Sequence, residues 1–163
     1  MFKITSTSSE QTISLGAKLA HFVQNGDLVA LIGMLGAGKT YFTKGIAKGL
    51  GVPKSQPITS PSFVLGNLYK GKKAALYHFD AYRIDNPREI FRLGLEEVYA
   101  GSTVTVLEWA DKFLPLLQKE SGATRIIKVR FKVAGKNKRL LTFSFGRKSV
   151  ESRFRAYLKK DND

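Results

Sequence analysis

The sequence predicts a three-layer α/β domain whose mixed sheet is parallel at its centre and extended by antiparallel hairpins. Three observations predict it. Leu28-Val29-Ala30-Leu31-Ile32 is a continuous apolar run, the pattern of a strand buried on both faces. It leads at once into the glycine-rich run Gly33 to Gly38 and then a helical stretch. Late in the chain, Arg125 to Val133 and Lys138 to Phe145 alternate apolar with basic residues around an Ala134-Gly135-Lys136-Asn137 turn, which reads as an antiparallel hairpin with one wet face.

The elements follow in order. Phe2 to Thr5 suits a short strand, and Ser8 or Ser9 suits the cap of a helix from near Glu10. That helix is expected to bury Ile13, Ala17, Ala20 and Val23 and to end at Asn25-Gly26. After the glycine-rich run, a helix from Lys39 to Leu50 stops at Gly51. Pro53, Pro57 and Pro61 punctuate a loop over 52–62, followed by strands at Phe63–Tyr69 and Ala74–Phe79 joined by Lys70-Gly71-Lys72-Lys73. Asn86-Pro87 starts a helix expected to run to Glu97. Thr103 to Leu107 is a further apolar strand, and Ala110 to Gln118 a short helix that tolerates Pro115 only with a kink or early end. Val150 to Lys160 predicts a terminal helix.

The 163 residues fit a single domain over 1–163, and 43% apolar residues supply its core. No cysteine is present, which excludes disulfides, thiolate metal sites and a cysteine nucleophile. Charge is uneven. Residues 1–118 hold 13 basic and 9 acidic groups (13 − 9 = +4), whereas residues 119–163 hold 14 and 4 (14 − 4 = +10). A field of that sign attracts phosphate polymers or acidic protein surfaces, and Lys136, Lys138 and Arg139 are natural contributors. No apolar stretch approaches the ~20 residues of a membrane span, so the expected location is cytoplasmic without membrane association.

Gly33-Met34-Leu35-Gly36-Ala37-Gly38-Lys39-Thr40 matches G-x-x-x-x-G-K-[ST] between a strand and a helix, the setting its mechanism needs. Such a P-loop curls backbone N–H groups of Gly33, Leu35, Gly36, Ala37, Gly38, Lys39 and Thr40 around phosphates, and the fold class is that of a P-loop NTPase domain. Lys39 neutralises the β- and γ-phosphates, and the Thr40 hydroxyl ligates Mg²⁺, so a nucleoside triphosphate and Mg²⁺ are the expected ligands. A carboxylate at the end of a neighbouring strand completes such a site. Asp80 and Glu108 both qualify, and the pattern alone leaves open which one serves the metal and which orients water.

The P-loop, Ser60-Pro61-Ser62-Phe63, Tyr77-His78-Phe79-Asp80-Ala81-Tyr82-Arg83, Leu93-Gly94-Leu95-Glu96-Glu97 and Glu108-Trp109 together resemble the TsaE (YjeE-type) ATPases of bacterial tRNA threonylcarbamoyladenosine biosynthesis. The resemblance covers nearly the whole chain. It implies that Gly33 to Thr40 bind ATP, that Thr40 and Glu108 ligate Mg²⁺, that Asp80 serves hydrolysis, and that Lys39, Asp80 and Glu108 are catalytic, with ATP and Mg²⁺ the cofactors. It also implies nucleotide contacts by Thr12 and Lys132, a γ-phosphate-sensing role for Ser60 to Ser62, and roles near nucleotide or partner for Tyr82, Arg83 and Trp109. His78 and His21 read as structural. Met34, Tyr41 and Ala81 stand where the family commonly has aspartate, a second Thr/Ser and leucine. The implied partners are the TsaD and TsaB proteins, with tRNA reached through their complex. The implied work is a weak ATPase that resets the complex without performing the transfer. A non-hydrolytic assembly switch and a small-molecule kinase are the alternatives.

Overall fold

The computed structural model describes residues 1–61, 66–86, 89, 103–121 and 125–160. In chain order they form β1 (Phe2–Ser6), α1 (Ser9–Leu19), β2 (Leu28–Ile32), α2 (Lys39–Leu50), β3 (Gly66–Tyr69), β4 (Ala75–Asp80) and β5 (Thr103–Glu108). A 3₁₀ turn (Ala110–Lys112), α3 (Leu114–Ser121), β6 (Ile126–Val133), β7 (Arg139–Phe145) and α4 (Lys148–Lys160) follow. The strands make one sheet ordered β1-β7-β6-β2-β5-β4-β3. The four central strands β6, β2, β5 and β4 are mutually parallel, while β3 pairs antiparallel with β4, and β7 joins β6 to β1 antiparallel. This is the mixed, centrally parallel α/β architecture the sequence predicts. Among the described residues no helix is long and apolar enough to cross a membrane.

β2 is buried along its whole length because it feeds two cores. Val29 and Leu31 enter a core with Leu15, Leu19, Phe42, Ile46, Phe143 and Phe154, roofed by α1, α2 and α4. Leu28, Ala30 and Ile32 enter a second core with Phe79, Leu107, Phe113 and Leu117, roofed by the 3₁₀ turn and α3. Each buried Leu, Val or Ile side chain contributes about 1.5–3 kcal/mol, so β2 is the best-anchored strand and a stiff base for the loop after it. The residue just before it is pinned separately: Arg147 donates to Asp27 Oδ2 at 2.6 Å, tying the chain ahead of β2 to the entrance of α4.

Several predicted elements shift for identifiable reasons. Ser8 caps α1, its hydroxyl accepting from Gln11 N at 3.1 Å, and Ala20 is buried as expected, but within the helix the buried residues are Thr12, Leu15, Gly16 and Leu19, with Ile13 and Ala17 only half-buried. The offset comes from α2, which lies so close that glycines must form the contact. A Cβ on Gly45 would overlap the Ile13 carbonyl and stand 2.9 Å from Ala17 N, and one on Gly16 would overlap the Phe42 carbonyl. α1 also ends at Leu19 and leaves through i→i+3 bonds, His21 N to Lys18 O and Phe22 N to Leu19 O, well before Asn25-Gly26. Pro115 ends nothing, because it lies in the first turn of α3, where its missing N–H has no intrahelical acceptor; the break falls before it, after the 3₁₀ turn. The expected strand over Phe63–Tyr69 is seen as Gly66–Tyr69, with 63–65 outside the described residues. Most of the expected helix from Asn86 to Glu97, including Leu93 to Glu97, likewise lies outside them, as does Ser62.

Gly45→Ala should lower stability by about 1–3 kcal/mol in urea denaturation, although alanine gains about 1 kcal/mol of helix propensity over glycine. Gly135→Ala, in an open turn where the nearest atom is 3.4 Å away, should change it by less than about 0.5 kcal/mol.

Candidate functional site

The C-terminal ends of β2, β4 and β5 meet the start of α2, and there the apolar sequence gives way to charge. β2 runs into a loop whose Gly36 and Gly38 have φ of +73° and +101°, conformations that side chains with a Cβ resist. Gly38 is also the N-cap of α2 and supplies no side chain to its first turn. The backbone N–H groups and positive dipole end of the helix therefore face the loop uncapped, a setting for an anion.

β4 and β5 pair in register so that Asp80 stands opposite Glu108. Both carboxylates are almost fully buried. Glu108 Oε2 accepts from the Thr40 hydroxyl at 3.1 Å, while Oε1 accepts from Thr43 Oγ1 at 3.3 Å and from His78 Nε2 at 2.9 Å. A carboxylate only accepts, so Nε2 carries the hydrogen in that contact. His78 is thereby the structural histidine the sequence predicts, fully buried in β4 and holding its neighbour's carboxylate. Asp80 is held differently. Its Oδ1 accepts from Tyr82 N at 3.0 Å, and its Oδ2 accepts from the Ser60 hydroxyl, which brings the proline-rich loop to the strand end.

Lys39 is 4% exposed and folded onto its own loop, donating to the carbonyls of Gly33 at 2.7 Å and Met34 at 3.0 Å. Its ammonium also sits 3.9 Å from the centroid of the Trp109 ring. Trp109 stacks near Tyr82, with ring centroids 4.9 Å apart, and has φ of +61°, a left-handed backbone that bulky residues adopt only when their surroundings enforce it. Burial pushes the Lys39 ammonium below the usual lysine range, and the nearby charges of Glu108, Asp80 and Asp111 oppose that push. A cavity of 410 Å³ opens over this cluster, walled by Leu35 to Thr40 on one side and Ser60, Asp80, Arg83, Glu108 and Trp109 on the other. A second of 220 Å³ shares Gly36, Gly38 and Tyr41 and is closed by Ser8, Ser9, Thr12, Asn137 and Arg139.

The family profile described as "Threonylcarbamoyl adenosine biosynthesis protein TsaE" matches residues 6–141. The chain belongs to the TsaE family. It is 38% identical over 136 residues to the tRNA threonylcarbamoyladenosine biosynthesis protein TsaE of Rickettsia prowazekii, covering 83% of this chain and 90% of that one. It is 36% identical over 142 residues to the protein of the same description from Bacillus subtilis, covering 87% and 84%. The crystal structure of Bacillus subtilis YdiB superposes with a TM-score of 0.75 at 30% identity over 99% of this chain and 96% of that one.

In this TsaE-family chain, the sequence-predicted residues fall into two groups. Gly33, Leu35, Gly36, Ala37, Gly38, Lys39, Thr40, Asp80 and Glu108 converge on one place, and Thr12 lines the adjoining cavity, its hydroxyl donating to the Ser8 carbonyl at 3.1 Å. Lys132 lies apart, exposed on β6 and lining neither cavity. His21 is on the far side of the sheet's helical layer, its ring 6.0 Å from Tyr157. Met34 is exposed and contributes only its carbonyl to Lys39.

Sequence reasoning missed two parts of this site. Arg139 Nη2 donates to the Gly36 carbonyl at 3.3 Å while Nη1 donates to Gly135, Lys136 and Lys138, so the β6–β7 hairpin is clasped to the loop by a residue counted only as surface charge. Its only sequence signal was an arginine beside the hairpin turn. Thr43, one turn beyond Thr40, reads as an ordinary helix residue until β5 brings Glu108 to it.

Trp109 is the only tryptophan, so its emission reports the Lys39 contact. Lys39→Ala should alter that emission, whereas Lys44→Ala, whose ammonium lies over Tyr41, should leave it unchanged.

Proposed function

We propose that this chain is a Mg²⁺-dependent ATPase serving threonylcarbamoyladenosine modification of tRNA, acting as a reset or activation step for a TsaD–TsaB transfer complex and not as the transferase. The observation that carries the nucleotide half of this reading is the meeting of Thr40, Glu108, Asp80 and Lys39 under one cavity at an uncapped helix start. The pathway half rests on family membership.

The donor set suits a hard divalent cation. A hydroxyl and a carboxylate oxygen, already 3.1 Å apart, are paired at the loop, and among the described residues no group of three or more His, Asp or Glu side chains offers an all-protein cage. That is the pattern for Mg²⁺, which is held by one or two protein oxygens and completes its shell from phosphate and water. Thr40 and Glu108 would hold it, and when bound it neutralises charge on the phosphate oxygens. Lys39 has a separate task. It leaves the Gly33 and Met34 carbonyls for the phosphates, exchanging two neutral acceptors for charged ones in a partly desolvated pocket. Asp80, positioned by the Tyr82 N–H and the Ser60 hydroxyl at the cavity wall, would take up the attacking water's proton. Because Ser60 comes from the loop ahead of β3, its bond to Asp80 also links the nucleotide pocket to that loop. Thr12, Tyr41 and Arg139 border the adjoining cavity, which suits the nucleoside end of ATP.

The test is phosphate release from Mg-ATP by the purified chain alone and with TsaD, TsaB and tRNA. Turnover should rise with the partners, stop on chelation of Mg²⁺, and fall at least about a hundredfold in Lys39→Ala and Glu108→Ala. Tight ATP binding with no release in any mixture would leave a nucleotide-gated assembly switch in its place.

A pH effect follows from Lys39. Its pKa is lowered in the free protein from the ordinary 10.5, and bound phosphate favours the charged form, so the pKa rises on binding. Between the two values ATP binding takes up protons. The calorimetric enthalpy should therefore depend on buffer ionisation in that window for the wild type and lose this dependence in Lys39→Ala.

A further inference from the structure

Among the described residues no element roofs the β1-β7-β6 part of the sheet on the face turned away from α1, α2 and α4, and that part is basic. β6 alternates strictly. Ile127, Val129 and Phe131 point into the core under the helices, so Lys128, Arg130 and Lys132 point the other way. Register carries that second face across the antiparallel strands: Lys128 pairs with Ser144, Arg130 with Thr142 and Lys132 with Leu140 on β7. On β1, Lys3 pairs with Thr142 and Thr5 with Leu140. Lys3, Thr5, Arg130 and Lys132 are exposed, and Lys128, Leu140, Thr142 and Ser144 are half-buried. α3 roofs the neighbouring strands but reaches β6 only at Ile126. None of the three strands contains an acidic residue.

We propose that this face of β1, β7 and β6 binds the phosphate backbone of RNA. Successive same-face residues on a strand lie about 6.6–6.8 Å apart, so Lys128, Arg130 and Lys132 form a straight row of cations at a spacing close to that of phosphates along a nucleic-acid strand. Lys3 adds a cation about 10 Å to the side, two strands over in the Arg130 row. Thr5, Thr142 and Ser144 place hydroxyl donors beside the cations, the usual complement for phosphate oxygens.

The occupant follows from what the face lacks. A protein partner is held by aromatic or apolar anchors in pockets, and Leu140 is the one apolar side chain among these positions. The phenylalanines of these strands, Phe2, Phe131, Phe143 and Phe145, belong to the core side, so the positions named on this face offer no ring for base stacking and the contact reads phosphates and shape instead of sequence. The top of the row is level with the glycine-rich loop, on the opposite face of the sheet from the cavities. β6 runs parallel to β2 with Arg130 opposite Ile32, which puts Lys132 level with the start of that loop. The choice of RNA as the polyanion rests on the family's pathway, but not on ATP turnover.

The experiment is fluorescence anisotropy of labelled tRNA with the full chain over a series of salt concentrations. The wild type should bind with strong salt dependence. Lys3→Gln/Lys128→Gln/Arg130→Gln should weaken binding at least about tenfold and reduce the slope of log affinity against log salt by about 2–3, from three lost phosphate contacts. Lys48→Gln/Lys159→Gln/Lys160→Gln removes the same charge from exposed positions on α2 and α4 and should stay within about twofold. The charge-preserving Lys3→Arg/Lys128→Arg/Arg130→Lys should retain binding, which separates charge from misfolding. Equal losses in the two glutamine triples, failure of the charge-preserving variant, or poly-glutamate competing as well as unlabelled tRNA would overturn the proposal. ATP-induced change in Trp109 emission, followed in the same samples, reports the nucleotide site independently, so tRNA failing to bind while that response persists counts against this face alone.

Discussion

Glu108 is a carboxylate at the end of a strand with almost no contact with water, and such a group is costly unless every lone pair finds a donor. Thr40 and Thr43 from α2 and His78 from β4 supply those donors, so one side chain ties together the helix that follows the glycine-rich loop and two strands of the sheet. The same bonds leave Thr40 and one carboxylate edge facing the cavity. Stability and function thus draw on one set of contacts. A substitution that frees Glu108 disturbs both the packing of α2 on the sheet and the oxygen pair proposed above to hold the cation.

The rest of the molecule fixes where that set of contacts can be. β2 is locked by two cores and by the Arg147–Asp27 pair at its base, so the glycine-rich loop springs from an immobile strand. The direction of α2 is then determined by its glycine-mediated contact with α1, which also carries Thr12 to the edge of the adjoining cavity. From the opposite side, Arg139 clasps the loop to the β6–β7 hairpin. Lys39 lies under Trp109 and is bonded to the carbonyls of its own loop.

Much of this was legible in the sequence because it depends on local order. The apolar run at Leu28–Ile32, the glycine-rich loop, the helix from Lys39 to Gly51 and the two strand-terminal acids follow from short-range pattern, and the structure puts them together. Helix facing was less legible. Periodicity from Ile13 ranks residues by apolarity, whereas the packing of α1 on α2 is decided by backbone approach at Gly16 and Gly45, where the absence of a side chain is the determinant. The partners of Glu108, the Ser60–Asp80 bond and the reach of Arg139 to Gly36 join residues 20 to 103 positions apart, and no window of sequence contains both ends. The bare basic face needed register. Composition showed an excess of cations after residue 119, but only the pairing of β1, β7 and β6 separates Lys128, Arg130 and Lys132 from Arg139, which turns to the loop.

The claim that Thr40 and Glu108 act as one cation-holding unit is tested most directly by a double-mutant cycle on Mg-ATP affinity, using Thr40→Val, Glu108→Gln and the pair together. The account predicts that the double variant binds Mg-ATP no more weakly than the worse single variant, and that this coupling disappears when ATP is presented with a chelator in place of Mg²⁺. Losses that simply add, or a coupling that persists without the metal, would contradict it.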